Sequence, residues 1–255
     1  MKISGAVLVL GVALAALVGA VWSGPVATAV TMSAVSAVFA YAYPYLLGIP
    51  AKRTVSTVGA IASILAVTSP LYAPSDAPLR FVPLYVGFGV AASFIVQLLR
   101  GTGQVRRMES LIGLSAGIFL MGSGAGWVAV AQVAQQYPSQ EIIQQASRGQ
   151  GAALCVAVCA LVGALIPLIQ PRILSSTSVV IVGVGLFFGI LVGSTTELAL
   201  GSSVVLGGIT GALTGAVVTL SQRAEGSLTK RTHVASGLGG IGLLGAVAFF
   251  GATFV

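Results

Sequence analysis

The chain has 255 residues, 56% of them hydrophobic and only 7% charged, with a mean hydropathy of +1.04 and a formal charge of +7. A water-soluble domain carries about 25% charged residues to dress its surface. The 12 basic and 5 acidic side chains here therefore exclude a soluble globule of this size and leave lipid as the main solvent. In that setting a basic excess reports cytoplasmic loops rich in Lys and Arg, provided the charges fall between the apolar runs.

Nine segments approach the roughly 20 apolar residues that carry a helix across hydrocarbon: 5–21, 26–47, 55–71, 81–99, 111–130, 152–169, 176–192, 198–220 and 234–254. They must be helices, because lipid offers no partner for backbone N–H and C=O groups, and they are too long and evenly apolar for barrel strands. The first, within MKISGAVLVLGVALAALVGA, has the basic start of a secretory signal but an apolar stretch longer than the usual ~7–15 residues. It is read as a span; cleavage, the alternative, would leave eight spans with both ends outside. The second ends in YAYPYLLGIP, where Tyr41, Tyr43 and Tyr45 precede Lys52 and Arg53 as an interfacial anchor would. Pro44 there, Pro83 at the start of the fourth span and Pro167 near the end of the sixth are expected to kink or terminate their helices.

Between the fourth and fifth spans lies LLRGTGQVRRMES, with Arg100, Arg106 and Arg107. GTG without a following lysine and a strand–helix setting is not a phosphate loop. Gly101 and Gly103 let the chain turn, and Glu109, beside two cations, suits the first turn of the next helix. The stretch reads as a cytoplasmic anchor in reach of anionic headgroups. Trp22 and Trp127 fall towards the outer ends of the first and fifth spans and are expected at the interface. The polar segment 132–150 follows on the outer side. Within it 139–148 reads as a short helix, with Ser139 ahead of it, Glu141 in the first turn, Arg148 in the last and Gly149 after it. Its glutamines fit either a partner-facing surface or a spacer lying on the headgroups.

In the sixth span Cys155 and Cys159 share a helical face with Gly151 and Gly163, a packing stripe of small residues. The alternative, a metal or redox pair, would have to find its other ligands elsewhere, and His233 is remote in sequence. The seventh and eighth spans carry GLFFGILVG and GGITGALTG, which put Gly185, Gly189 and Gly193, and Gly207, Gly211 and Gly215, on one face each. Bare stripes let helix backbones approach closely, a main source of attraction between helices in lipid. The reading is glycine-on-glycine packing, with a polar path lined by bare backbone as the alternative. At the junction of these spans Glu197 lies beside Ser194, Thr195 and Thr196. Within the membrane it would bind a cation or relay a proton; at the surface it is a loop residue. The ninth span opens with KRTHVASG, which sets Lys230, Arg231 and His233 at the interface. This stretch, KRTVSTVG from Lys52 and RRMESLIG from Arg106 share a dibasic pair with a glycine seven positions on. Either an internal repeat or the need of each outward-going helix for a basic anchor accounts for it.

With the N-terminus inside, ten of the twelve basic residues fall on the cytoplasmic side, against two of the five acids; Arg80 and Arg148 fall outside. That asymmetry sets the orientation, and the dispersal of charge over short stretches rules out nucleic acid. There is no acidic cluster to hold magnesium against a diphosphate, no HExxH and no GxSxG with partners, so no catalytic residue, metal or cofactor is expected.

In its Ala, Gly and Val enrichment and scarce lysine the chain resembles small, uncharacterised actinobacterial integral membrane proteins labelled permeases. The resemblance covers the whole chain but rests on no motif and transfers no functional residue. The ten-helix drug/metabolite transporters are similar in size and differ in helix number. The expectation is an all-α polytopic transmembrane helix bundle of about nine spans, one domain over 1–255, N-terminus inside and C-terminus outside, in the bacterial cytoplasmic membrane. The leading functional reading is a small transporter, permease or flippase for a neutral or amphiphilic solute. The alternative is an accessory or scaffold subunit of a membrane or cell-envelope complex, with 132–150 as its protein-facing surface; an intramembrane lipid-modifying enzyme ranks third. Membrane lipids are the expected partners in every case.

Overall fold

Backbone groups in an apolar solvent must close their hydrogen bonds within one segment. In the computed structural model, which describes residues 5–48, 52–74, 76–99, 107–135, 140–169, 174–195, 200–224 and 230–254, the regular structure is entirely helical. The elements are α1 (Gly5–Ser23), α2 (Pro25–Leu46), α3 (Lys52–Thr68), α4 (Val82–Leu99), α5 (Arg107–Gly122), α6 (Ala125–Gln135), α7 (Gln140–Ile169), α8 (Leu174–Thr195), α9 (Leu200–Ala224) and α10 (Lys230–Phe254), with a 3-10 turn at Ser69–Tyr72 extending α3. Among the described residues six stretches are long and apolar enough to cross a membrane: Pro25–Leu46, Lys52–Tyr72, Val82–Leu99, Met108–Val133, Leu200–Thr219 and Arg231–Thr253. Leu8–Ser23, Gly151–Ile166 and Val180–Ser194 are shorter apolar helices. The chain is a multi-pass helical membrane protein.

Local chemistry sets the helix ends. Gly24 joins α1 to α2 at φ +119°, a conformation that favours glycine, and Pro25 then supplies a first helical residue that needs no N–H partner. At the other end of α2, Leu47 N–H donates to the Tyr43 carbonyl and Gly48 takes φ +64°, the left-handed step that commonly ends a helix. Buried hydroxyls donate back into their own helices: Thr28 to the Gly24 carbonyl at 2.8 Å and Ser93 to that of Gly89 at 2.7 Å.

α10 occupies the centre. Its Leu238, Ile241, Leu244 and Ala248 are buried in one core with side chains of α1, α2, α6 and α7. Leu14 and Leu17 of α1 are wholly buried there, so the first helix is part of the bundle's core. α3, α4 and α5 form one flank around Ala62, Val86 and Ile118. α8 and α9 form the other, meeting α7 at Cys155, Cys159, Val192 and Leu206. Large apolar side chains line the perimeter, among them Val12 at 70%, Phe88 at 63%, Phe119 at 62% and Phe187 at 61% exposure. Such a surface is a liability in water and the favoured one in hydrocarbon.

Two expectations change. The helix read at 139–148 does not stop at Gly149: from Gln140 it is the start of α7, one helix of 30 residues, about 45 Å long, running through Gly149 and Gly151. A glycine ends a helix by turning left-handed, and the glycines with positive φ among the described residues are Gly24 and Gly48. The fifth span is also not one helix, since α5 stops at Gly122 and α6 starts at Ala125. In the three dibasic stretches, the glycines seven positions on (Gly59, Gly113 and Gly237) are all buried two turns into their helices.

Candidate functional site

The interruption between α5 and α6 has a local cause. MGSGAGW, ending at Trp127, places three glycines and a serine in five residues, the weakest helix-forming stretch in the span. Gly124 N–H donates to the Met121 carbonyl, Gly126 to Ser123 and Trp127 to Gly124, each one residue short of the α-helical partner. The Leu120 carbonyl, which has lost the Gly124 N–H, accepts Ser123 Oγ at 2.7 Å instead. The signal for this break was present in the sequence as glycine density, but an apolar run of sufficient length masked it.

Packing then holds the break in the core. Met121, Gly122, Gly124 and Ala125 are buried, and the Met32 methyl of α2 lies against Gly124. α10 faces the break with two glycines. A Cβ on Gly242 would strike the Leu120 carbonyl, and one on Gly126 would strike the carbonyl of Gly245. Trp127, expected at the outer interface, is instead completely buried and donates its indole N–H to the Ile241 carbonyl of α10 at 3.0 Å. The correction follows from the broken helix: α6 carries on to Gln135, so Trp127 lies in its first turn, level with the middle of α10. Trp22 is 63% exposed.

A second seam joins α7, α8 and α9. Gly185 lies against Gly207 and Gly211, Gly189 against Ser203 and Gly207, and Gly193 against Ser203 and Leu200. Gly215 is buried on the same helix. Both thiols of α7 are fully buried and turned towards carbonyls of this seam, Cys159 Sγ 3.5 Å from Gly185 O and Cys155 Sγ 3.8 Å from Ser203 O. Gly163 continues the stripe against Ile181 and Thr214. Among the described residues no three His, Cys, Asp or Glu side chains converge on a point that would hold a metal.

The polar candidate at the α8–α9 junction is only partly covered. Glu197 and Thr196 lie outside the described residues, and Thr195 is the last residue of α8. Asp76 is exposed in the connection after α3 and Glu109 in the first turn of α5, while Glu141 lies at the start of α7. Buried polar atoms without a described partner are Ser36 Oγ of α2, Gln97 Nε2 of α4, Gln132 Oε1 of α6, Thr210 and Thr214 Oγ1 of α9, and His233 Nδ1 of α10. Among the residues whose burial is described, the interior thus offers hydroxyl, amide and imidazole groups and no carboxylate.

Of the anchoring residues, Arg100 and Arg106 lie outside the described residues, while Arg107 and Lys230 are the first residues of α5 and α10. Arg53 is exposed in the first turn of α3. Lys52 and Arg231 sit over the Tyr45 ring, 4.4 and 4.5 Å from its centroid, and Arg231 is 5.5 Å from that of Tyr41. The three tyrosines divide: Tyr41 is exposed, Tyr45 half-buried, and Tyr43, on the opposite face, is buried with its ring stacked 4.7 Å from Phe39. No protein-family model, no curated protein and no solved structure matches the chain.

Proposed function

We propose that the chain is a small transporter, permease or flippase of the bacterial cytoplasmic membrane for a neutral or amphiphilic solute. In this reading it crosses nine times, N-terminus inside and C-terminus outside, with α5 and α6 together forming the fifth span. The observation that carries the proposal is the interruption at Ser123–Gly124, buried in the centre of the bundle against α10. Broken helices at depth are a recurring way for a carrier to bend about a central path. The polar atoms buried without described partners suit an uncharged cargo. Glu197, with Thr195 and Thr196, is the coupling site that this reading assigns.

The test uses the full chain in proteoliposomes containing a trace of headgroup-labelled phosphatidylcholine, under an imposed proton gradient. Transport of amphiphiles predicts dithionite bleaching beyond the outer-leaflet fraction, and transport of neutral solutes predicts swelling in iso-osmotic glycerol. Failure of both in correctly inserted protein would overturn the reading.

A specific observation favours an accessory subunit as the second reading. α7 has 30 residues where a crossing needs about 20, so about ten, within QEIIQQASRGQ, are available to a partner. Deletion of 139–148 should release a co-purifying protein under that reading, and an unchanged set of partners would count against it.

A further inference from the structure

A cationic cluster and an apolar groove meet at one end of the bundle. The groove, about 550 Å³, opens sideways between α1, α2 and α10 and is lined by Val12, Ala16, Thr31, Ala34, Val38 and Leu238, among others. Its stripe on α2 continues from Val38 to Tyr41 and Tyr45, three and seven residues on, and its stripe on α10 runs from Leu238 through Val234 back to Arg231. Both stripes therefore lead into the place where Arg231 and Lys52 lie over the tyrosine rings.

The charge there is positive for two separate reasons. Lys52 and Arg231 converge from different helices, and α2, α3 and α10 carry no acidic residue. α3 and α10 also both begin here, so the positive ends of two helix dipoles point to the same place. Both first-turn cations stack on the one Tyr45 ring, which brings the two helix starts to a common side chain. A groove of similar size, about 540 Å³ between α9 and α10, is lined by Ser202, Val205, Phe250 and others and has no cation in its lining.

We propose that this end of the bundle is a seat for one anionic phospholipid, its phosphodiester between Lys52 and Arg231 and an acyl chain along the α1–α2–α10 groove. A guanidinium and an ammonium supply charge-assisted hydrogen bonds to phosphate oxygens, and Arg231 can do so in a bidentate manner. The open, apolar groove accounts for a lipid in place of a free phosphate. The net positive charge accounts for an anionic headgroup in place of a zwitterionic one. The inference rests on the membrane placement of the chain and is independent of whether it transports.

The experiment uses the full chain purified in dodecyl maltoside and titrated with dioleoylphosphatidylglycerol, dioleoylphosphatidylcholine or inorganic phosphate, with thermal unfolding and native mass spectrometry as readouts. Phosphatidylglycerol should raise the unfolding midpoint and remain bound, and the other two should do neither. Lys52→Ala with Arg231→Ala, and separately Ala34→Trp to fill the groove, should each weaken phosphatidylglycerol binding by about tenfold or more. Arg80→Ala, at the other end of the bundle, should leave it unchanged. Equal stabilisation by the two lipids, stabilisation by phosphate alone, or wild-type binding in both groups of variants would overturn the proposal. The comparison of the two lipids on the unaltered chain decides the matter even where a variant fails to fold. Binding is read without a transport assay, so failure here leaves the transport reading standing, and the reverse also holds.

Discussion

Trp127 ties the interrupted helix to α10 through one hydrogen bond, from its indole N–H to the Ile241 carbonyl at 3.0 Å. Trp127→Phe keeps most of the ring volume and removes the donor, so a loss of about 1–2 kcal/mol is expected in the thermal unfolding of detergent-purified protein. Trp127→Ala adds a cavity and should cost about 3–5 kcal/mol. If Trp127→Phe were as stable as the parent, the bond would be contributing nothing. The residue type was readable as an interfacial anchor because tryptophan commonly sits at membrane boundaries. Its true place depends on where α6 ends, and the local sequence does not report that. Tyr43 shows the same limit: it lies between the exposed Tyr41 and the half-buried Tyr45, and the packing of α2 against Gly117 of α5, with Phe39 one turn earlier on the same face, turns it inward.

Helices meet in this bundle where glycines remove side chains from the contact, and each such contact has a sign that can be tested. Gly126→Ala would push a methyl group into the Gly245 backbone and Gly185→Ala one into that of Gly207, and each should destabilise by about 1–3 kcal/mol. Gly87 in α4 and Gly201 in α9 have no neighbouring atom within 4 Å of an added Cβ. Alanine there should be neutral or stabilise by up to about 1 kcal/mol, because it restores helix propensity without a clash. Unfolding midpoints of the four variants give the comparison, and a uniform response would refute the role assigned to the two seams. The ladders of α8 and α9 were legible because their i, i+4, i+8 spacing is periodic. Gly242 and Gly245 of α10 were not singled out, because GLGGIGLLG scatters glycine over several faces and only the partner decides which face counts. The break at Ser123–Gly124 carried a composition signal, yet the same glycine density runs unbroken through α10. The serine does not distinguish the two either, since Ser236 makes the same bond three residues back, to the His233 carbonyl, within unbroken α10.

At the scale of the whole molecule, the proposed nine-span arrangement makes a prediction about sidedness. Single cysteines at Asp76 and Thr102, introduced after the two native thiols are changed to alanine, should label from opposite sides: Asp76 from outside and Thr102 from the cytoplasm only. A reporter fused after Val255 should be active outside. Labelling of both cysteines from the same side would refute the topology. Composition and apolar spacing were enough to establish a helical membrane protein, because the absence of water in the bilayer core leaves the backbone few choices and each span obeys that constraint independently. Depth within the bundle followed from no such local rule. The central place of α10, the continuity of α7 through Gly149, the burial of Trp127 and the meeting of Lys52 with Arg231 all depend on contacts between residues distant in the chain. Lipid is as apolar as the side chains facing it, so hydropathy does not distinguish a residue facing the bilayer from one facing a neighbouring helix. Steric fit makes that choice, and steric fit belongs to the assembled bundle.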